Sequence, residues 1–330
     1  MRFFFILAVC VLSQSLVAQD QTNPKNSAKE VPAAKKPPER PDPTYADVVY
    51  GVDSERQKFD FWKADSDKPT PVVLLIHGGG WVNGDKNSYG NRPIKTLLDS
   101  GISVAAINYR FIAQAMEQKV EPPVKACVQD TARALQTIRA NASKWNVDPK
   151  RIGATGGSAG ACTSLWLALH DDLADPKSSD PIARESSRLQ FAAVTGAQTS
   201  LDALQLRNWI SNSIYGGHAF GFAAKGRSRA EEFELLLKNR ESVMPWIREY
   251  SPIELISSDD PPLFLEYPGQ KTEPVFGGKE PDPTHSAIYG IEFAKRCKEM
   301  KVDCIVSYPN HKHPEFDSSV DFLIRKLSHK

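Results

Sequence analysis

Arg151-Ile152-Gly153-Ala154-Thr155-Gly156-Gly157-Ser158-Ala159-Gly160-Ala161 is the stretch on which the fold of this chain turns. Arg151–Thr155 reads as a short strand, Ala161–His170 is helix-like, and the G-x-S-x-G pattern of Gly156–Gly160 joins them. A serine at such a strand-to-helix corner sits in a strained turn that projects its Oγ from the sheet edge. Flanking glycines let strand and helix approach without Cβ clashes. The N-terminus of the following helix adds positive potential where negative charge would develop. Ser158 is therefore a candidate nucleophile.

Upstream lies a second glycine turn. His77-Gly78-Gly79-Gly80-Trp81 follows the unbroken apolar run Val72-Val73-Leu74-Leu75-Ile76. Consecutive glycines leave backbone N–H groups bare and able to point into a cavity, which is how an oxyanion is held. A phosphate-binding loop would need Lys-Ser/Thr directly after its glycines, where Trp81-Val82 stand, and no G-x-G-x-x-G opens a helix.

Further outward the same rhythm repeats. Val104–Ile107, Phe191–Thr195, Leu263–Tyr267 and Cys304–Tyr308 read as strands, after a hairpin of Val48–Val52 and Lys58–Trp62. Runs without polar alternation suit strands covered on both faces. Between them Val124, Val128, Thr131, Leu135, Ile138 and Ala142 step at helical spacing, and Val320, Leu323, Ile324 and Leu327 share one face of a last helix. Alternation of this kind predicts an α/β fold, a mostly parallel sheet with helices on both faces. The interval between Phe191–Thr195 and Leu263 is too long for one crossover. It carries a capping-box pattern at Ser228–Glu231 and the aromatic residues Trp209, Tyr215, Phe220, Phe222 and Trp246. The expectation is a helical cap insertion at about 199–255.

The ends refine the domain count. Arg2, the apolar run Phe3–Leu12, the polar Ser13-Gln14-Ser15 and the small Ala18 form the pattern of a secretory signal over 1–18, cut near Ala18-Gln19. Its apolar helix would span about 15 Å, too short for a bilayer core of about 30 Å. Residues 19–44 hold six Pro, nine charged residues and no aromatic side chain, so they read as a solvated tether. The working domain is then 45–330. Its exported setting, periplasmic or extracellular, would leave Cys127, Cys162, Cys297 and Cys304, whose pairing the spacing does not choose.

Composition removes other classes. With 41 Lys+Arg against 40 Asp+Glu, the net charge of +1 supplies no field for a nucleic-acid backbone. Negative mean hydropathy excludes a multi-span membrane protein, and five Cys in 330 residues are too few for a disulfide scaffold.

HGGGW, Asn108-Tyr109-Arg110 after the next strand, and Asp148-Pro149-Lys150-Arg151-Ile152 leading into GGSAGA together resemble the α/β-hydrolase superfamily. Within it the chain is most similar to the hormone-sensitive-lipase-like esterases and the bacterial acetylxylan or feruloyl esterase-like group. The resemblance covers roughly 45–330 and is densest over 72–165. It implies a carboxylic-ester hydrolase with triad order Ser, acid, His. Ser158 would be the nucleophile, with the N–H groups of Gly79, Gly80 and Ala159 as oxyanion hole and His77 as a brace for the loop. The strand–loop–His pattern after the last strand points to His313, with His311 second. His218 and His170 read as cap and surface histidines. The family's acid motif H-G-x-x-D-x-x-V-P is altered here, since Tyr267-Pro268 replace His-Gly and the expected Asp is missing. Glu273, in an E-P-V echo of the motif, is the first choice of acid, and Asp282 the alternative if the loop doubles back.

The expected chemistry is acyl transfer on short acyl esters, with acetyl or feruloyl groups of polysaccharide as one substrate class. It calls for no metal or organic cofactor. Amide hydrolysis by a formamidase or exopeptidase of the same fold, or a catalytically silent binding protein, are the alternatives.

Overall fold

The computed structural model describes residues 40–328. The expected export signal, and the tether up to residue 39, lie outside the described residues.

The strands are β1 (Tyr45–Val49), β2 (Lys58–Trp62), β3 (Thr70–Ile76), β4 (Ser103–Ile107), β5 (Val147–Gly156), β6 (Phe191–Thr195), β7 (Leu263–Glu266) and β8 (Cys304–Ser307). They form one sheet of order β1-β2-β4-β3-β5-β6-β7-β8. β1 pairs antiparallel with β2 and β2 with β4, and every other pairing is parallel. This is the α/β-hydrolase fold.

The continuous apolar runs are explained by two cores, because alternate side chains of each strand feed opposite faces. On β3, Val72, Leu74 and Ile76 meet Cys127, Leu135 and Leu165 of the helices Val124–Ala140 and Ala159–Leu169. Val73 and Leu75 meet Ile94 and Leu97 of the helix Asn91–Asp99 and Phe322, Leu323 and Leu327 of Ser319–Ser328.

Register aligns the ends of the central strands. Ile76 stands opposite Gly156, and Thr195 opposite Glu266. The segments leaving β3, β5, β6 and β7 therefore all open at one edge, where ligands gather in sheets of this kind.

Between β6 and β7 the helices Ala203–Trp209, Arg229–Lys238, Met244–Tyr250 and Pro252–Leu255, with two short 3-10 turns, make the cap. Ser228 caps Arg229–Lys238 as its sequence suggested, Ser228 N–H donating to Glu231 Oε2 at 2.7 Å. Phe233 and Leu236 are buried on the inner side, and Trp209, Tyr215 and Phe220 with them.

Several boundaries differ from expectation, β5 already beginning at Val147, four residues before Arg151, and β3 at Thr70. The hairpin's first strand starts three residues early and ends before Val52, because buried Gln57 turns into the loop and accepts the N–H of Asp53 at 2.7 Å. The last residues of the expected tether are docked on the domain. Arg40 pairs with Asp60 at 3.0 Å and lies over Trp62, whose indole N–H donates to Pro41 O at 2.8 Å. Thr44 Oγ1 accepts the Lys63 N–H. All four described cysteines are free thiols. Among the described residues no helix is long and apolar enough to cross a membrane.

Candidate active site

Ser158 occupies φ 54°, ψ −123°, a conformation a non-glycine residue holds only when its surroundings impose it, at a cost of about 1–3 kcal/mol. Its N–H is tied to Thr195 O at 3.0 Å, and the helix Ala159–Leu169 starts at the next residue. Gly160 shows why the corner must be glycine-rich. A Cβ there would lie 1.9 Å from Ile76 O, so any side chain would push the helix off β3.

The loop after β3 runs alongside. Gly79 and Gly80 have φ of +101° and +61°, which lets the chain bend so that neither of their N–H groups is used by another protein group among the described residues. Ala159, as the first residue of its helix, has no carbonyl one turn back to which it could donate. The loop is latched by Trp81, fully buried, whose indole N–H donates to Thr163 Oγ1 at 2.9 Å, one turn into the serine's helix.

His77 braces this loop. Its ring stacks on Tyr109 at 4.3 Å, Nδ1 lies 2.8 Å from Gly78 O, and Nε2 lies 3.3 Å from the Arg56 guanidinium. Arg56 can only donate, so Nε2 accepts and Nδ1–H donates to Gly78 O. Burial lowers the His77 pKa to about 4, which keeps the ring neutral.

The histidine that meets Ser158 is His285. Its Nε2 is 2.9 Å from Ser158 Oγ, and its Nδ1 is 2.8 Å from Asp282 Oδ2. A carboxylate only accepts, so Nδ1 carries the proton and Nε2 is free to accept from the serine hydroxyl. Asp282 Oδ1 also accepts the N–H groups of Thr284 and His285, at 3.1 and 3.2 Å, so acid and histidine are held within one turn. Burial acts to raise the Asp282 carboxyl, but the hydrogen bond and charge of His285 and the two backbone donors outweigh it and hold it below the ordinary carboxylate range. Gln198 Nε2 donates to Thr284 O at 2.7 Å and Gln270 Oε1 accepts the Ala287 N–H at 2.8 Å, fastening the turn on both sides. Gly196, with φ +59°, leaves room for the imidazole: a Cβ there would stand 3.3 Å from it.

The other sequence candidates lie elsewhere. His313 does not reach Ser158. Its ring stacks on Phe316 at 5.3 Å and its Nδ1 accepts the Glu315 N–H at 3.2 Å, in a separate cavity beside Glu266 and Tyr308. His311 stacks on Tyr308 and is exposed. Tyr308 and His311 bridge in a tight turn, and His313, two residues on, lines the cavity with Glu266 and Phe316 rather than the Ser158 cleft. Glu273 is exposed on the loop after β7 and is not the carboxylate at the histidine. That loop does double back, which brings in Asp282, the alternative acid. His285 was missed, although its signal was present: an Asp-Pro-Thr-His turn keeps a carboxylate and an imidazole three residues apart in the loop due to carry the acid. His218 is fully buried in the cap against Trp81 and Tyr215, and His170 lies beside Glu249.

Ser158, His285 and Asp282 open into a cleft of about 500 Å³ walled by Tyr89, Tyr267 and Pro268. Among the described residues no group of three or more His, Cys, Asp or Glu side chains is arranged to hold a metal ion.

The family model described as BD-FAE matches residues 60–275, more than half of the chain, and the chain belongs to that family. A probable carboxylic ester hydrolase, LipM, of Mycobacterium tuberculosis is 30% identical over 149 residues, 44% of this chain and 32% of that protein. The chain spans about a third to a half of the length of the first curated relatives it matches. Among solved structures, Thermogutta terrifontis esterase 2 phosphonylated by sarin superposes with a TM-score of 0.58 at 21% identity, covering 89% of this chain and 94% of that one. An acetyl ester-xyloside bifunctional hydrolase from Caldicellulosiruptor lactoaceticus gives 0.55 at 22% identity, covering 78% and 77%. These likenesses are of fold.

Proposed function

We propose that this BD-FAE family member is an exported serine carboxylesterase that hydrolyses short acyl esters with Ser158 as nucleophile, His285 as base and Asp282 as acid. The carrying observation is the pair of contacts on one imidazole, 2.9 Å from Nε2 to Ser158 Oγ and 2.8 Å from Nδ1 to Asp282 Oδ2. Oγ attacks the ester carbonyl while Nε2 takes its proton, and the oxyanion is received by the N–H groups of Gly79, Gly80 and Ala159. As the carbonyl re-forms, the bond to the alcohol oxygen breaks and that oxygen takes the proton from Nε2. Water repeats the cycle on the acyl-enzyme. Asp282 keeps the proton on Nδ1 and steadies the imidazolium between the two transfers. Acetyl or feruloyl groups on extracellular polysaccharide are the substrate class that an export signal and the esterase resemblance support.

A serine-reactive aryl phosphonate should form one adduct, on Ser158, and Ser158→Ala should lose hydrolysis of 4-nitrophenyl acetate. Ester hydrolysis persisting in that variant, or a phosphonate-resistant protein, would sink the reading. Cleavage of an aminoacyl anilide at a rate matching the aryl ester would favour amide chemistry instead. Cell fractionation, with Gln19 sought as the mature N-terminus, tests export.

A further inference from the structure

Two of the described cysteines sit where one helix hands the chain to the last strand, Cys297 in Ile288–Met300 and Cys304 at the start of β8. The helix ends in a tight reversal. Lys301 takes φ 61°, its N–H donates to Lys298 O at 3.2 Å, and Val302 N–H donates to Cys297 O at 2.9 Å, the paired bonds of a Schellman motif. These bonds tie the backbone of Cys297 to a residue two positions before Cys304.

Side-chain direction brings the sulfurs together. Residues two full turns apart share a helix face, and alternate residues share a strand face. Gly290 lies two turns before Cys297, and a Cβ on it would stand 3.0 Å from Val306 Cγ1, on the same strand face as Cys304. That face of the helix therefore lies on that face of β8, and Cys297 meets Cys304 one step nearer the reversal. The cores agree: Cys297, Cys304 and Val306 belong to one, Ile305 to the other. The Cys297 thiol, together with burial, raises the Cys304 thiol well above its ordinary value. Cys127 and Cys162 lie in other helices, and burial raises both, with no second thiol acting on either among the described residues.

We propose that Cys297 and Cys304 are a disulfide site, at which oxidation fastens the end of the helix to the start of β8. In the cell the bond rests on the proposed export, because only an oxidising compartment maintains it. Cys304 is partly exposed and Cys297 is buried, which sets the order of events. The Cys304 thiolate attacks a disulfide oxidant such as oxidised glutathione, and one glutathione thiolate leaves. The Cys297 thiolate then attacks Cys304 Sγ and displaces the second glutathione thiolate. Two electrons pass from the protein sulfurs to the oxidant, and the two thiol protons go to the departing thiolates. The raised Cys304 thiol slows the first attack at neutral pH, so alkaline conditions speed the reaction.

The experiment treats the full chain with excess oxidised glutathione at alkaline pH, blocks the remaining thiols with iodoacetamide in urea, and maps tryptic peptides without reduction. Cleavage after Arg296, Lys298, Lys301 and Lys312 should release Cys297-Lys298 joined to Val302–Lys312, with Cys127 and Cys162 alkylated. Dithiothreitol should then lower the melting temperature of the oxidised wild type by about 5 °C, the scale of opening a short closed loop in a chain of this size. It should leave that of Cys304→Ser unchanged. Alkylation of both Cys297 and Cys304, glutathione held on Cys304 without ring closure, or a bridge to Cys127 or Cys162 overturns the site. So does an equal dithiothreitol response in the wild type and Cys304→Ser. The readout is covalent and independent of ester hydrolysis, so this site and the esterase reading fail separately.

Discussion

Replacing His285 by alanine separates the arrangement seen here from the one that the β8 loop suggested. The imidazole touches both partners, at 2.9 Å from Ser158 Oγ and 2.8 Å from Asp282 Oδ2, so in the proposed mechanism its removal deletes proton transfer in both half-reactions. General acid–base catalysis by a positioned side chain contributes about 10²–10⁴ per step, and triad members act as a unit. The expected loss in kcat/KM is about 10⁴, which is about 5.4 kcal/mol of transition-state stabilisation. Gly79, Gly80 and Ala159 are untouched, so a residual rate above water should survive. His313, which stacks on Phe316 in another cavity, should change the rate by less than about threefold when replaced by alanine. The assay is initial-rate hydrolysis of 4-nitrophenyl acetate by both variants. Added imidazole should restore part of the activity of His285→Ala, because the truncation leaves a space beside Gly196 in an open cleft. An active His285→Ala protein alongside an inactive His313→Ala protein would refute the reasoning.

Asp282→Asn should cost less than the loss of a buried triad acid. The Asp282 side chain is 61% exposed and water can take over part of its role, so about 10²–10³ in kcat/KM is expected at neutral pH. Gly160→Ala should abolish soluble expression or strip the elbow of activity, since its Cβ would overlap the Ile76 carbonyl at 1.9 Å; an active, normally melting variant would contradict the packing at the corner. His77 gives a pH signature. Its folded pKa is lowered from 6.5 to about 4, so the unfolded chain binds a proton that the folded one refuses. Its contribution is present above about pH 6.5 and is lost as pH falls toward 4, on the order of 3 kcal/mol in total. Urea midpoints measured from pH 7 to 4 should fall less steeply in His77→Gln than in the wild type. Trp81→Phe removes the 2.9 Å bond to Thr163 and should lower stability by about 1–3 kcal/mol, because the Trp81 side of the loop is fully buried.

Much of the fold was legible because local physics and global packing agree along most of the chain. Val72–Ile76 suits a strand covered on both faces, and Ser228–Glu231 could open a helix by its own hydrogen bonds. The helix Ile288–Met300 went unread: Gly290 sits in its first turn, where a Cβ would meet the Tyr267 ring at 2.4 Å. The glycine there serves a contact with a residue more than twenty positions away, and so weakens the local signal.

The same division runs through the active site. The corner at Ser158 and the glycine turn after β3 were readable because they depend on local backbone: a strained corner, left-handed φ angles and a helix N-terminus are written within a few residues of each other. The acid and the histidine were not, because a hydrogen bond to Ser158 depends on where two loops end in space. The long segment after β7 and the shorter one after β8 each carry carboxylates and imidazoles. Spacing alone could not rank them, and counting from Tyr308-Pro309 favoured His313. Tertiary structure brings Asp282 and His285, and not His313, to Ser158, since Gln198 and Gln270 pin their loop against Gly196 while His313 lines a separate cavity after the Tyr308–His311 turn.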